Sequence, residues 1–84
     1  MWKIERIIMI KTIDDDGELV TDVESDYFKQ FSKQGLPSFD FYNAKEFEDR
    51  EEAQAIVEQL RSLYGNSKNP FERVYFEIRE VQGA

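Results

Sequence analysis

The sequence predicts an α+β fold: a small, mainly antiparallel sheet of three to four strands, covered on one face by one long helix. Residues 49–64 place apolar side chains at spacings of three and four, which is typical of one face of a helix. Residues 2–13 and 72–81 instead alternate apolar and polar side chains, which is typical of strands. Turn signals between these segments predict the order strand, strand, strand, helix, strand (β-β-β-α-β) within one domain, residues 1–84.

The long helix is predicted to begin at Asp49, whose side chain can cap the free backbone N–H groups of the first turn. Glu52 follows three residues later, as in a capping box, and places acid near the positive end of the helix dipole. Gly65 and Pro70 predict the end of the helix. The apolar stripe that should face the sheet consists of Ala53, Ile56, Val57, Leu60, Leu63 and Tyr64.

The first strand, residues 2–13, is apolar on both sides over residues 7–10, which predicts a position inside the sheet. We expect the last strand to lie beside it and parallel to it, through a right-handed crossover. Asp16-Gly17 predicts a hairpin turn after the first strand. The other strands are predicted at residues 18–23, 38–43 and 72–81.

Residues 24–35 leave two interpretations open. The segment is either a short helix that Ser25 caps and Gly35 ends, or a loop that packs its aromatic side chains against the core.

The composition excludes several classes of chemistry. The 84 residues contain no histidine and no cysteine, so neither a thiol nor an imidazole is available as nucleophile or base. No nucleophile elbow or glycine-rich phosphate loop is present, and we therefore predict no enzymatic activity and no cofactor. The net charge of −7 argues against direct contact with nucleic acid and favours a basic protein partner.

Asp14, Asp16 and Glu18 stand at alternate positions, as calcium ligands do in an EF-hand loop. The pattern then fails, because Leu19 occupies the place of the glycine and Ser25 the place of the bidentate glutamate. An acidic hairpin tip is the preferred interpretation, and no metal site is predicted. The N-terminus shows no leader, lipidation motif or membrane span, so the expected location is the cytoplasm.

Acidic residues are concentrated in two blocks. Residues 14–28 contain seven Asp and Glu and no Lys or Arg, and residues 40–58 contain seven Asp and Glu against two basic residues. If the first hairpin tip lies near the start of the helix, the two blocks merge into one negative face that can stand in for a phosphate backbone. The alternative is two separate solvated patches. The residues predicted to bind a partner are Asp14, Asp15, Asp16, Glu18, Asp22, Glu24, Asp26, Glu48, Glu51, Glu52, Tyr27 and Phe28.

Twelve aromatic residues are many for a chain of this length. Five are predicted to lie in the core: Phe39, Phe41, Phe47, Phe71 and Phe76. Four others are candidates for an exposed binding or self-association surface, unless they seal the rim of the core: Tyr27, Phe28, Tyr42 and Tyr75.

Three segments in the second half of the chain form one pattern. Residues 41–47 include Ala44 and Phe47, residues 51–53 read Glu-Glu-Ala, and residues 75–78 read Tyr-Phe-Glu-Ile. This pattern resembles small uncharacterised bacteriophage and prophage proteins, in which a strand, an Ala-x-x-Phe step, a helix and a closing strand follow one another. In size and charge the chain is also similar to the anti-CRISPR and anti-restriction inhibitors, which block nucleic-acid-binding surfaces.

The resemblance and the charge together predict a phage-encoded inhibitor that mimics DNA and binds a basic surface of a host nucleic-acid-processing enzyme. The alternative is a structural phage protein that forms a homodimer through its sheet edge and exposed aromatic residues. Neither hypothesis requires contact with nucleic acid or with a membrane.

Overall fold

The computed structural model describes residues 1–65 and 72–82. Its elements are β1 (Trp2–Ile13), β2 (Leu19–Phe31), β3 (Pro37–Asp40), α1 (Arg50–Tyr64) and β4 (Glu72–Glu80). The strands form one antiparallel sheet in the order β3-β2-β1-β4, and α1 packs on one face of it. The predicted α+β class and the β-β-β-α-β order are confirmed. Within the described ranges, no helix has the length and apolar character needed to cross a membrane.

β1 lies in the interior of the sheet, as its two apolar sides predicted, and its bounds match the prediction. Its even-numbered residues face α1, and Ile4 is completely buried there. Its odd-numbered residues form the open face of the sheet, where Ile7 and Met9 are half-buried.

β4 lies beside β1, as expected, but the predicted parallel orientation is wrong. A backbone bridge joins Phe47 to Trp2, so α1 begins at the end of the sheet where β1 begins. The helix then runs toward the far end, where Glu72 pairs with Ile10 and β4 starts. Because α1 carries the chain from one end of the sheet to the other, β4 runs back antiparallel to β1.

β2 is longer than predicted: residues 24–31 are strand and form neither the short helix nor the loop, although Phe28 and Phe31 pack on the core as the second interpretation expected. The strand continues to Phe31, with a bulge between Phe28 and Gln30 that adds one residue on β2 relative to β3. The extra residue puts Phe28 and Phe31 on the same face, with ring centroids 5.0 Å apart. A spacing of three on one face imitates a helical period, which explains why the sequence suggested a helix.

β3 ends at Asp40 rather than at Asn43. The Asp40 carboxylate accepts hydrogen bonds from the backbone N–H groups of Tyr42 at 2.8 Å and Asn43 at 3.2 Å, which turns the chain out of the sheet. These hydrogen bonds, led by that of Tyr42, lower the pKa of Asp40 below its usual value. Phe41 is therefore 58% exposed, and its predicted place in the core is wrong.

α1 begins and ends where the sequence indicated. The Asp49 side chain caps it by accepting from the backbone N–H of Glu51 at 3.0 Å. Gly65 follows the last helical residue with right-handed backbone angles, so its role does not depend on the left-handed conformation that glycine favours. The predicted stripe packs on the sheet except for Leu63, which is exposed.

The core is one aromatic and aliphatic cluster between α1 and the sheet. Phe28 lies near its centre, with ring centroids 6.1 Å from Phe39 and 6.4 Å from Phe47. Phe39 in turn stacks on Phe76 at 6.2 Å, so three of the predicted core aromatics are confirmed. The prediction for Phe71 falls outside the described residues.

Candidate partner-binding surface

The β1–β2 hairpin projects beyond the rest of the sheet. Residues 11–25 are exposed at every position. β4 pairs with β1 only as far as Ile10, and β3 pairs with β2 only from Tyr27 onward, so neither edge strand flanks this segment. We call residues 11–25 the acidic arm, since they contain six Asp and Glu and one Lys. The arm contributes to a molecule that measures 47 Å in its longest dimension.

The tip of the acidic arm is a hydrogen-bonded turn. Asp14 and Glu18 close it through the bond from Asp14 N to Glu18 O at 2.9 Å, and Gly17 supplies a backbone φ of +81°. One oxygen of the Asp14 carboxylate also accepts from the N–H groups of Asp16 at 3.0 Å and Glu18 at 2.8 Å. Asp14 thus stabilises the turn, and the carboxylates of Asp15, Asp16 and Glu18 are left to face solvent.

A row of carboxylates begins within the arm and runs toward the core along one side of β2. Asp22, Glu24 and Asp26 lie opposite alternate residues of β1, so they share the face that α1 covers farther down the sheet. Residues two apart on a strand are about 6.8 Å apart. Asp22 and Glu24 are exposed, whereas Asp26 is half-buried at the edge of the core.

Asp26 already has a partner in the structure. Its carboxylate binds the Arg6 guanidinium through two nitrogens, one of them Nε at 2.8 Å from Oδ1. Arg6 also lies over the Phe39 ring at 3.8 Å and donates to the Tyr64 hydroxyl at 3.5 Å. Burial lowers the pKa of Arg6, but its hydrogen bond and ion pair with Asp26 outweigh this and raise the pKa overall.

Asp26 was predicted to bind a partner, and no role was predicted for Arg6. The register of the β1–β2 hairpin connects the two residues. It pairs residues whose numbers sum to 32, so Arg6 lies directly opposite Asp26. With residues 15–17 as the turn and Asp14 opposite Glu18, that register brings Arg6, the one basic residue on the inner face of β1, against Asp26 on β2.

The expectation that the two acidic blocks form one face is wrong. Glu48, Glu51 and Glu52 surround the start of α1, which the Phe47–Trp2 bridge fixes at the beginning of β1. The arm tip lies beyond the other end of β1, and a 12-residue strand spans about 36 Å. Charges that far apart are screened from each other, because the Debye length is only about 8 Å at physiological ionic strength.

The block at the helix start is also mixed in charge. Arg50 lies over the Trp2 ring at 5.8 Å, and Lys45 lies 5.6 Å from the Phe47 ring. Both cations stand among the acidic residues of this end of the molecule. The dense negative charge therefore belongs to the acidic arm and the adjoining row on β2.

The two aromatic residues predicted to bind a partner, Tyr27 and Phe28, lie in different environments. Phe28 is 2% exposed, so its proposed surface role is wrong. Tyr27 is half-buried on the open face, with the Lys3 ammonium 4.0 Å from its ring centroid. Tyr42 and Tyr75 are exposed, at 87% and 48%, as expected for surface aromatics.

Two concave sites lie beside α1, one near each of its ends. One, about 390 Å³, lies between the end of α1 and β4 and is lined by Arg61, Tyr64, Gly65 and residues 74–77. The other, about 200 Å³, lies beside the start of α1 among Phe28, Phe31, Phe47 and Ile56. Over the described residues, no three Asp, Glu, His or Cys side chains are grouped so as to hold a metal ion.

The chain matches no protein-family model, no curated protein and no solved structure. The resemblance to phage and prophage proteins therefore stays a prediction.

Proposed function

We propose that the protein is a non-enzymatic binding module whose acidic arm occupies a basic groove on a protein partner. The partner proposed is a nucleic-acid-processing enzyme of a bacterial host, which the module inhibits in the manner of a phage-encoded, DNA-mimicking inhibitor. The observation that supports this proposal is the concentration of six carboxylates on a hairpin that lies outside the sheet.

The shape of the arm suits insertion. From the level of Ile10 to the tip it reaches about 17 Å, and its two strands lie about 4.8 Å apart. The exposed carboxylates at the tip and along β2 would enter a cleft first, since neither β3 nor β4 shields them. Asp22 and Glu24, the exposed members of the row on β2, are about 6.8 Å apart, which is twice the spacing of about 3.4 Å between phosphates along one DNA strand. Asp26, the third member, is already paired with Arg6.

Electrostatics explains why such a groove would be the favoured target. Lysine and arginine side chains that neutralise phosphates release counterions, and a row of carboxylates can take the place of those phosphates. Residues 14–28 contain no Lys or Arg, so Lys11 at the base of the arm is the one positive side chain on the arm that a basic surface would meet. Binding should therefore be fast at low ionic strength and should weaken steeply as salt is added.

The experiment compares two variants with the same net charge. The arm variant replaces Asp15, Asp16 and Asp22 by Asn and Glu18 and Glu24 by Gln. The control variant instead replaces five carboxylates near or on the helix by Gln: Glu46, Glu48, Glu51, Glu52 and Glu58. The readout is displacement of a labelled oligonucleotide from a panel of purified bacterial defence nucleases, measured over a series of salt concentrations.

For the target enzyme, we expect the arm variant to lose affinity by about 70-fold, taking roughly 0.5 kcal/mol for each of the five exposed charge pairs. The control variant should displace the oligonucleotide as the natural sequence does. Equal losses in the two variants, or displacement that salt does not weaken, would contradict the proposal. Failure to displace the oligonucleotide from any enzyme on the panel at low salt would also count against it.

A further inference from the structure

The two edges of the sheet differ in how they are protected. At one edge, β3 has four residues, begins with Pro37 and faces a bulge, all of which discourage pairing with another strand. At the other edge, β4 has nine residues in regular register with β1 and contains no proline or glycine. β4 is thus the edge that can accept a further strand.

The hydrogen-bond pattern identifies which groups of β4 face outward. One residue beyond β4, Val81 N donates to Met1 O at 2.8 Å, so Val81 points its backbone groups toward β1. The direction alternates along an antiparallel strand, and the odd-numbered residues of β4 therefore bond to β1. The outward N–H and C=O groups belong to the even-numbered residues: Glu72, Val74, Phe76, Ile78 and Glu80.

Among the described residues, a groove lies beside these groups. The groove of about 390 Å³ lies along this edge, beneath the end of α1. One outward carbonyl, that of Phe76, accepts a hydrogen bond at 3.4 Å from the exposed Arg61 side chain, which can swing away. An incoming strand would find room for a side chain in the groove and main-chain groups ready to pair.

We propose that β4 pairs with β4 of a second copy, antiparallel, about a two-fold axis at Tyr75. This register joins the two sheets into one of eight strands. On the open face it sets Tyr75 opposite Tyr75 and Arg73 opposite Glu77, twice by symmetry. On the helix side it sets Val74 opposite Phe76.

The charged residues of β4 favour this register over those in which the two-fold axis passes through Phe76 or Ile78. An axis at Phe76 would set Arg73 against Arg79, which is unfavourable for directly opposed residues. An axis at Ile78 would match Glu77 with Arg79, but fewer residues of β4 would then pair. Within its own chain, Arg79 donates to Glu5 at 3.0 Å and forms an ion pair with Glu77. With the axis at Tyr75 both contacts are kept, and Glu77 gains Arg73 of the second copy as an additional partner.

The dimer would also keep the acidic arms apart. The two-fold axis reverses the strand direction, so the two arms project from opposite ends. Tyr75 lies level with Ile7, six residues from Ile13 at the base of the tip, which is about 20 Å along the strand. The tips would thus be at least about 40 Å apart, far beyond the range of unscreened repulsion at physiological salt.

The test is a charge-swap cycle measured by sedimentation equilibrium with the full chain. The natural sequence should form a species of twice the 10.0 kDa chain mass. Arg73→Glu and Glu77→Arg should each weaken the dimer about tenfold, because each change opposes like charges at two symmetric positions. The double variant has the net charge of the natural sequence and should recover its affinity to within about threefold.

Val74→Pro is a second probe, since it removes an outward N–H and leaves the bonds to β1 intact. It should abolish the dimer, and circular dichroism checks that the fold is retained. A monomer at all concentrations up to the millimolar range would overturn the proposal. So would a dimer that is insensitive to the single charge changes, or one that the double variant fails to restore.

Discussion

Truncation of Phe28 separates a structural role from the surface role that the sequence suggested. Phe28 is 2% exposed and its ring packs on those of Phe31, Phe39 and Phe47. Phe→Ala changes at buried sites cost about 3–5 kcal/mol, the lost transfer energy plus a cavity term. A domain of 84 residues has a free energy of unfolding of roughly 4–13 kcal/mol, so Phe28→Ala removes a large part of it.

Phe41→Ala is the matched control, because the same atoms are removed from a ring that is 58% exposed. We expect its cost to be below about 1 kcal/mol. Urea denaturation followed by circular dichroism gives both values, with the slope m unchanged if only stability differs. In thermal melts, Phe28→Ala should lower Tm by at least about 12 °C. A loss below 1 kcal/mol for Phe28→Ala, or equal losses for both variants, would refute the core assignment.

Three further predictions concern polar groups and the arm. A double-mutant cycle on Arg6→Ala and Asp26→Ala, measured by urea denaturation, should give a coupling energy of about 1–2 kcal/mol, and additive losses would exclude the ion pair. The N–H of Tyr42 bonds to the ionised Asp40, so this stabilisation is complete above the usual aspartate pKa and is lost as pH falls through the lowered one. Asp40→Asn should therefore lose less stability than the natural sequence between pH 5 and pH 2, and parallel pH curves would contradict this. Gly17→Ala, which forces a side chain into positive φ, should cost about 1 kcal/mol or fray the arm, and unchanged amide exchange there would argue against the turn described.

The spacing of apolar residues along the sequence predicted the elements in which that spacing is regular. The bounds of β1, the cap at Asp49 and the buried stripe of α1 all follow from the spacing of apolar residues and the chemistry of the first helical turn. These features depend on neighbours within a few positions, which a single sequence contains. The extension of β2 did not follow, because a bulge changed its period from two to three.

Features that depend on distant contacts were harder to predict. The Trp2–Phe47 bridge decides at which end of the sheet α1 begins, and thereby fixes the direction of β4. The same bridge places the two acidic blocks at opposite ends of the sheet, which their composition alone did not indicate. The ion pair of Arg6 with Asp26 required the hairpin register in addition to the residue types.

The position of the acidic arm outside the core determines which substitutions the protein can tolerate. Its side chains beyond Ile10 are outside the hydrophobic cluster, and its turn needs little more than Asp14 and Gly17. Substitutions elsewhere on the arm leave the packing of the interior untouched, so the charge and shape of the arm can change at small cost in thermal stability. Under the proposed function, the remainder of the sheet and α1 would serve as a fixed scaffold for a replaceable recognition loop.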